Sequence, residues 1–350
     1  MVVDMDSGRE RQTVNKPMKA ARRMQRLVGL VWTATVLTAC GDGLQKPELF
    51  EASTGFSPTK DGFSFENFAG FVSTAIFDAW SMRRMYGDNV CLQIQGEACE
   101  LRPEAQAFAD QVNSATSGGL CEGFAALPAL NFANKVKLTE LGVKSDPFLI
   151  SREELSLIDR EIAYWFGTQL LPSVKNGTKR VTGREAVELL GRAFRDTPKK
   201  TFRIGLVRLN AAGQAEGGHA LMPYATKRIT DSKWQILVYD SNHPASERAI
   251  EVDADADSWK YTAASNPSAP SGLYTGKGKK NRLYLIDNDL RVGQQPCPFC
   301  PGGAGGSQTI LSFGAIMASV QTGSGSSAGP STLSCCSSPR RPDSPSSRCR

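Results

Sequence analysis

The sequence predicts an α+β fold with helices first and an antiparallel sheet second. Between residues about 63 and 194, apolar residues recur at helical spacing and the runs carry helix-start signals. From Thr201 onward the apolar runs become short, rich in β-branched and aromatic residues, and separated by turn composition. Elements segregated in this way belong to α+β architecture. The roughly 250 residues between the two ends are enough for one sizeable domain. No internal repeat, P-loop, GxGxxG or HExxH is present.

Residues 1–39 read as a signal segment. Lys19, Arg22, Arg23 and Arg26 precede an apolar run from Leu27 to Ala39. A basic region, a short apolar region and small residues before a cut site make a secretory signal, and the run is too short to span a membrane. Leu37-Thr38-Ala39-Cys40 resembles a bacterial lipobox, which makes Cys40 the expected lipidation site and the membrane a partner through that anchor. Residues 40–60 read as a polar linker from the anchor, 61–321 as the main domain, and 322–350 as a disordered Ser/Pro/Arg-rich tail.

Within the domain, Phe63, Phe65, Phe68, Phe71, Ile76, Phe77 and Trp80 predict one apolar face of a helix over 63–86. Pro103 to Val112 predicts a second helix. Helical patterns recur from Ser151 to Leu171, where Ser151-Arg-Glu-Glu154 matches a capping box, and from Thr182 to Phe194. Trp165 and Phe166 are expected in the core. Predicted strands are 202–209, 219–229, 235–240, 249–252, 259–263 and 283–286. Thr230-Asp-Ser-Lys233 has the composition of the turn joining the second and third.

Charge narrows the partners. The chain carries +6 overall. Seven basic and three acidic groups fall within 1–39, and four arginines against one aspartate within 322–350, so the core is near −1. The core has no Lys/Arg stripe with interleaved aromatics, so nucleic acid is not an expected partner.

Only two histidines occur, His219 and His243. His219 follows a glycine pair and opens a strand. Upstream, Ser117-Gly-Gly-Leu-Cys121-Glu-Gly-Phe124 reads as a tight turn feeding a helix. A thiol needs help to react near neutral pH. A helix N-terminus and a neighbouring imidazolium both favour the thiolate, and the imidazole must be oriented by an acceptor on its other nitrogen. Folding the hairpin at 230–233 returns residues 240–244 beside His219, which offers Asp240 and Asn242 as acceptors. An idealised register puts Asn242 nearer, and one bulge or a looser turn reverses that. Asp240 is preferred, because a carboxylate stabilises an imidazolium better. His243, before Pro244, reads as a turn residue or substrate neighbour.

The order of a cysteine on a Gly-rich turn, Gly-His-Ala, and then Val-Tyr-Asp-Ser-Asn resembles the papain-like cysteine hydrolase superfamily over residues 105–290. The resemblance implies a helical lobe carrying Cys121 and an antiparallel sheet carrying His219 and Asp240 or Asn242. The resemblance is at superfamily level and does not carry a substrate class over; the expected activity is that of a thiol peptidase or amidase acting on a peptide or amide substrate, with no metal or organic cofactor. Family members place a Gln about six residues before the cysteine for the oxyanion. Here Ala115 stands at that position, with Gln111 and Asn113 as nearby candidates. Two other readings stay open: a transglutaminase-like acyl transferase or deamidase, and a non-catalytic surface-binding lipoprotein with an inert Cys121.

Nine cysteines divide by role. Besides Cys40 and Cys121, Cys91 and Cys99 bracket a short loop and are expected to pair outside the cytoplasm. Cys297-Pro-Phe-Cys300 is expected to form a local disulfide, since no second pair or nearby histidine supports zinc. Cys335, Cys336 and Cys349 lie in the tail.

Overall fold

The computed structural model describes residues 47–67, 77–116, 119–263 and 272–300. Contacts divide the chain into Met1–Lys46 and Pro47–Arg350. The expected signal segment, Cys40 and the tail lie outside the described residues. Helices and one large antiparallel sheet make an α+β chain; most of the sheet follows the helices as predicted, but its strands at Ala52–Ser53 and Lys179–Val181 lie before and among them.

The helices are α1 (Ala79–Tyr86), α2 (Pro103–Thr116), α3 (Cys121–Phe132), α4 (Arg152–Gly167), α5 (Pro172–Gly177) and α6 (Gly183–Asp196). Both α4 and α6 start where their local sequence directs. Ser151 and Glu154, and likewise Thr182 and Glu185, exchange side-chain and backbone hydrogen bonds in complete capping boxes. The helix expected over 63–86 is shorter: it begins at Ala79, with the Asp78 side chain accepting from Ser81 N–H. Phe63 and Phe65 stack in a turn-rich segment and pack edge-on against Phe124 of α3. These phenylalanines thus serve tertiary packing instead of one helix face; Phe68, Phe71 and Ile76 lie outside the described residues.

A disulfide joins Cys91 to Cys99 across the hairpin of β2 (Cys91–Gln95) and β3 (Ala98–Leu101), with β1 (Ala52–Ser53) preceding it in the chain. A second disulfide joins Cys297 to Cys300. The remaining strands are β4 (Lys179–Val181), β5 (Phe202–Leu209), β6 (Ala215–Arg228), β7 (Lys233–Tyr239), β8 (Arg248–Asp253), β9 (Ser258–Thr262), β10 (Leu273–Lys277) and β11 (Leu283–Asp287). They run in the order β10-β9-β8-β7-β6-β5-β11-β4, and β1 adds to β6. Residues 47–60, expected as linker, therefore join the folded unit: Ala52 pairs with Thr226, and Phe56 is buried against Tyr224 and Tyr239. Asn281 Nδ2 donates to Val207 O of β5 and Thr275 O of β10, so the sheet curls back on itself.

Three clusters make the core. One lies among the helices, a second between α6 and the sheet, and the third joins α3 to β6 and β7. In the third, Cys121, Ala125 and Ala129 recur at i, i+4 and i+8 and face Ala220, Met222, Ala225 and Tyr239. On its other side α3 meets α4 so closely that a Cβ on Gly123 would lie 2.0 Å from the Ile162 carbonyl oxygen. Helix α3 is therefore buried nearly all round, as its almost wholly apolar sequence requires. Each fully buried large side chain there, such as Phe124 or Leu127, contributes about 1.5–3 kcal/mol. Among the described residues, no helix is long and apolar enough to cross a membrane.

Candidate active site

The site lies at the seam between α3 and the sheet. Gly119, with φ +110°, makes the sharp entry into the helix, as glycine can. The next amide, Leu120 N–H, donates to Asn67 Oδ1 at 2.8 Å. Cys121 is the first helical residue, so its backbone stands at the positive end of the helix dipole.

Strand β6 brings His219 up to it. His219 pairs with Leu206 of β5, but on the β7 side the last pair is Met222 with Tyr239. Continuing that register would put Asn242 opposite His219. The chain turns at Asp240 instead: Asp240 Oδ1 accepts the Asn242 N–H at 2.8 Å, and Asp240 O accepts the His243 N–H. The same Oδ1 accepts from His219 Nε2 at 2.8 Å. His219 also hydrogen-bonds the Cys121 side chain. Since Nε2 is taken by Asp240, Nδ1 is the ring nitrogen that faces the thiol.

The second oxygen of Asp240 accepts from the Tyr261 hydroxyl of β9. Asp240 is fully buried, yet its two oxygens have three donors, which is the condition for burying a carboxylate. Burial alone would lower the His219 pKa, but the charge and hydrogen bond of Asp240, with those of Cys121, raise it to about 10. Burial likewise pushes the Asp240 carboxyl up, and the His219 charge and the three donors outweigh it, leaving it at about 2. Burial and the Asp240 charge keep Tyr261 protonated.

These directions fix the pH dependence of stability. A raised histidine pKa contributes fully below its ordinary 6.5, and the contribution is lost as pH climbs toward about 10. A lowered aspartate pKa contributes above its ordinary 3.8 and is lost as pH falls toward about 2. Both describe one ion pair. The urea midpoint of wild type minus that of His219→Ala should therefore be level between about pH 4 and 6.5 and shrink on either side. A difference that grows from pH 7 to 10 would contradict the pairing.

Other expected site residues are placed elsewhere. Asn242 Oδ1 accepts from Asn67 Nδ2 at 3.3 Å and has no bond to His219. Asn113 is committed to Phe77: its Oδ1 accepts the Phe77 N–H and its Nδ2 donates to the Phe77 carbonyl, both at 2.9 Å. Gln111, two residues earlier on α2, is turned by roughly 200° about the helix axis from Asn113. The His243 ring bonds to Ala263 O in the turn.

Two residues escaped sequence reasoning. Tyr261 orients the carboxylate. Asn67 ties the α3 entry to the loop after β7, through Leu120 N–H, Asn242 Oδ1 and its own N–H to Ser241 O. Beside them, the buried Ser241 hydroxyl has no partner among the described residues.

Cys121 is itself completely buried. A separate cavity of about 890 Å³ is lined by Trp234, Trp259, Tyr274, Lys277 and Lys280, among others, and includes none of Cys121, His219 and Asp240. Among the described residues no cluster of His, Cys, Asp and Glu could hold a metal. No family model, curated protein or solved structure matches the chain.

Proposed function

We propose that the chain is a thiol hydrolase of papain-like arrangement, acting on peptide or amide bonds. One observation carries the reading. A continuous hydrogen-bonded series runs from Cys121 at a helix N-terminus through His219 to Asp240, in the chain order and on the elements that such chemistry uses. The Cys121 sulfur attacks the carbonyl carbon, and the electron pair of the C=O bond moves to oxygen. As the tetrahedral adduct collapses, His219 Nδ1 gives its proton to the leaving amine and a thioester remains. Water, losing a proton to His219, then attacks the thioester and releases the acid, returning the thiol pair to its starting state. Asp240 keeps the imidazole oriented throughout. The Cys121 backbone N–H faces the oxyanion in this scheme.

The complete burial of Cys121 favours a second reading, a non-catalytic binding lipoprotein in which the pair is structural. A thiol-directed covalent inhibitor and a peptide–amide library, applied to the full chain, separate the two. Wild type should be labelled at Cys121 and cleave the library, and a folded Cys121→Ala should do neither. Absence of both in wild type leaves the binding reading. Adding an amine acceptor and analysing products distinguishes acyl transfer or deamidation from hydrolysis. Lipid anchoring through Cys40 outside the cytoplasm belongs to the same proposal, with the two disulfides in support. Membrane fractionation of the wild-type protein tests it.

A further inference from the structure

Directly after the candidate nucleophile stands a buried acid that the proposed chemistry does not use. Glu122, on the first turn of α3, has a side chain 2% exposed. Its Oε2 lies 2.5 Å from Arg203 Nε of β5, and its Oε1 accepts from Arg291 Nη2 at 2.7 Å. The two arginine side chains are 7% and 0% exposed, and Arg291 Nη1 also donates to Thr168 Oγ1 at 2.9 Å. One carboxylate and two guanidiniums leave one positive charge over, buried where water cannot screen it well. The cluster joins α3 to β5, three residues from the Leu206 that pairs with His219, and to the turn after β11.

The buried catalytic groups carry the opposite excess. With His219 protonated, Asp240 ionised and Cys121 as thiolate, that group sums to one negative charge. Tyr239 and Tyr224, packed in the same cluster as Cys121, are kept neutral by burial, as Tyr261 is on Asp240. The charged groups about Cys121 are His219 and Asp240 on β6 and the turn after β7, Arg248 of β8 beside Tyr261, and the Glu122, Arg203 and Arg291 cluster that joins α3 to β5. We infer that the surplus charge of Glu122, Arg203 and Arg291 is the counter-charge of the Cys121 thiolate, making Arg203 and Arg291 positioning residues that set the pH at which the nucleophile forms.

The inference rests on the thiol-hydrolase reading. Burial raises the Glu122 carboxyl, yet the arginines hold it below the usual carboxylate range, so the cluster stays charged across the working range. A unit charge ~8 Å away at an effective dielectric of ~20 moves a titration by roughly 1 to 1.5 pH units.

The test is the pH profile of Cys121 alkylation by iodoacetamide, followed at the Cys121 peptide by mass spectrometry in the full-length protein. Access to a buried thiol scales every rate alike and leaves the midpoint unchanged. Arg203→Met leaves Glu122 paired with Arg291 and removes the surplus, so the midpoint should rise by about one pH unit. Arg203→Lys keeps the charge and should restore the wild-type midpoint. Glu122→Gln doubles the surplus and should lower the midpoint. If Glu122→Gln does not fold, Glu122→Leu/Arg203→Met/Arg291→Leu, which exchanges the whole cluster for apolar groups, should show the Arg203→Met rise. A merely structural cluster would shift Arg203→Met and Arg203→Lys together or not at all, and either result overturns the inference while leaving the Cys121–His219 pair standing. A wild-type midpoint near that of a free thiol, ~8.5, removes the pair and this inference with it.

Discussion

His219→Ala should slow alkylation of Cys121 at pH 6 by about 100-fold or more, and by only a few-fold at pH 9. An ordinary thiol with a pKa of ~8.5 is less than ~1% ionised at pH 6, whereas a thiol beside a permanent imidazolium is ionised there. The imidazolium is permanent because Asp240, buried beside it, holds the His219 proton up to about pH 10. Removing the ring leaves Asp240 with the Tyr261 hydroxyl and the Asn242 N–H as donors, so the fold retains most of its local bonding. Circular dichroism checks that point, and rates are measured at the Cys121 peptide. Equal rates for wild type and His219→Ala at pH 6 would leave the pair without support.

Asp240→Ala should lower turnover by at least ~100-fold, while Asn242→Ala stays within about tenfold of wild type. The asymmetry follows from the bonds: Asp240 Oδ1 is on His219 Nε2, and the Asn242 side chain is on Asn67. Asp240→Ala also strands a buried imidazolium, so Asp240→Asn, with the same shape and no charge, is its companion control. Tyr261→Phe removes one donor from the carboxylate and should cost less, about tenfold, since a hydrogen bond to a charged group contributes about 1.5–3 kcal/mol. Turnover on a substrate from the library screen is the measurement. The reverse order would hand the orienting role to Asn242, and near-wild-type turnover in both would separate the hairpin from the site.

The parts of the fold readable in the sequence are those set by local chemistry. The capping box at Ser151, the helix start at Thr182, the glycine entry at Gly119 and the strand-rich second half all act within a few residues of themselves. The short strands β4 and β10 carry too few apolar residues to stand out, and β2 exposes Leu92 and Ile94 on a hairpin tied by its disulfide. The phenylalanines at 63 and 65 mimic a helix face because tertiary burial and helix formation both select apolar residues. Choosing between Asp240 and Asn242 from register alone assumes that the ladder continues past Tyr239. The turn closed by the Asp240 carboxylate ends it there, a side-chain effect that strand periodicity does not carry. Asn67 and Tyr261 have no motif of their own, because their roles come from partners distant along the chain.

The bonds that define the seam span 175 residues from Asn67 to Asn242 and 169 from Glu122 to Arg291. Closing loops of that length comes late in folding, since the entropy is spent before the contacts return it. A chain still acquiring its sheet therefore carries Cys121 as an ordinary thiol, without its base and without its counter-charge. On the thiol-hydrolase reading proposed above, reactivity then arrives only with the completed molecule, which spares the chain from attacking itself, or its neighbours, while it is still unfolded.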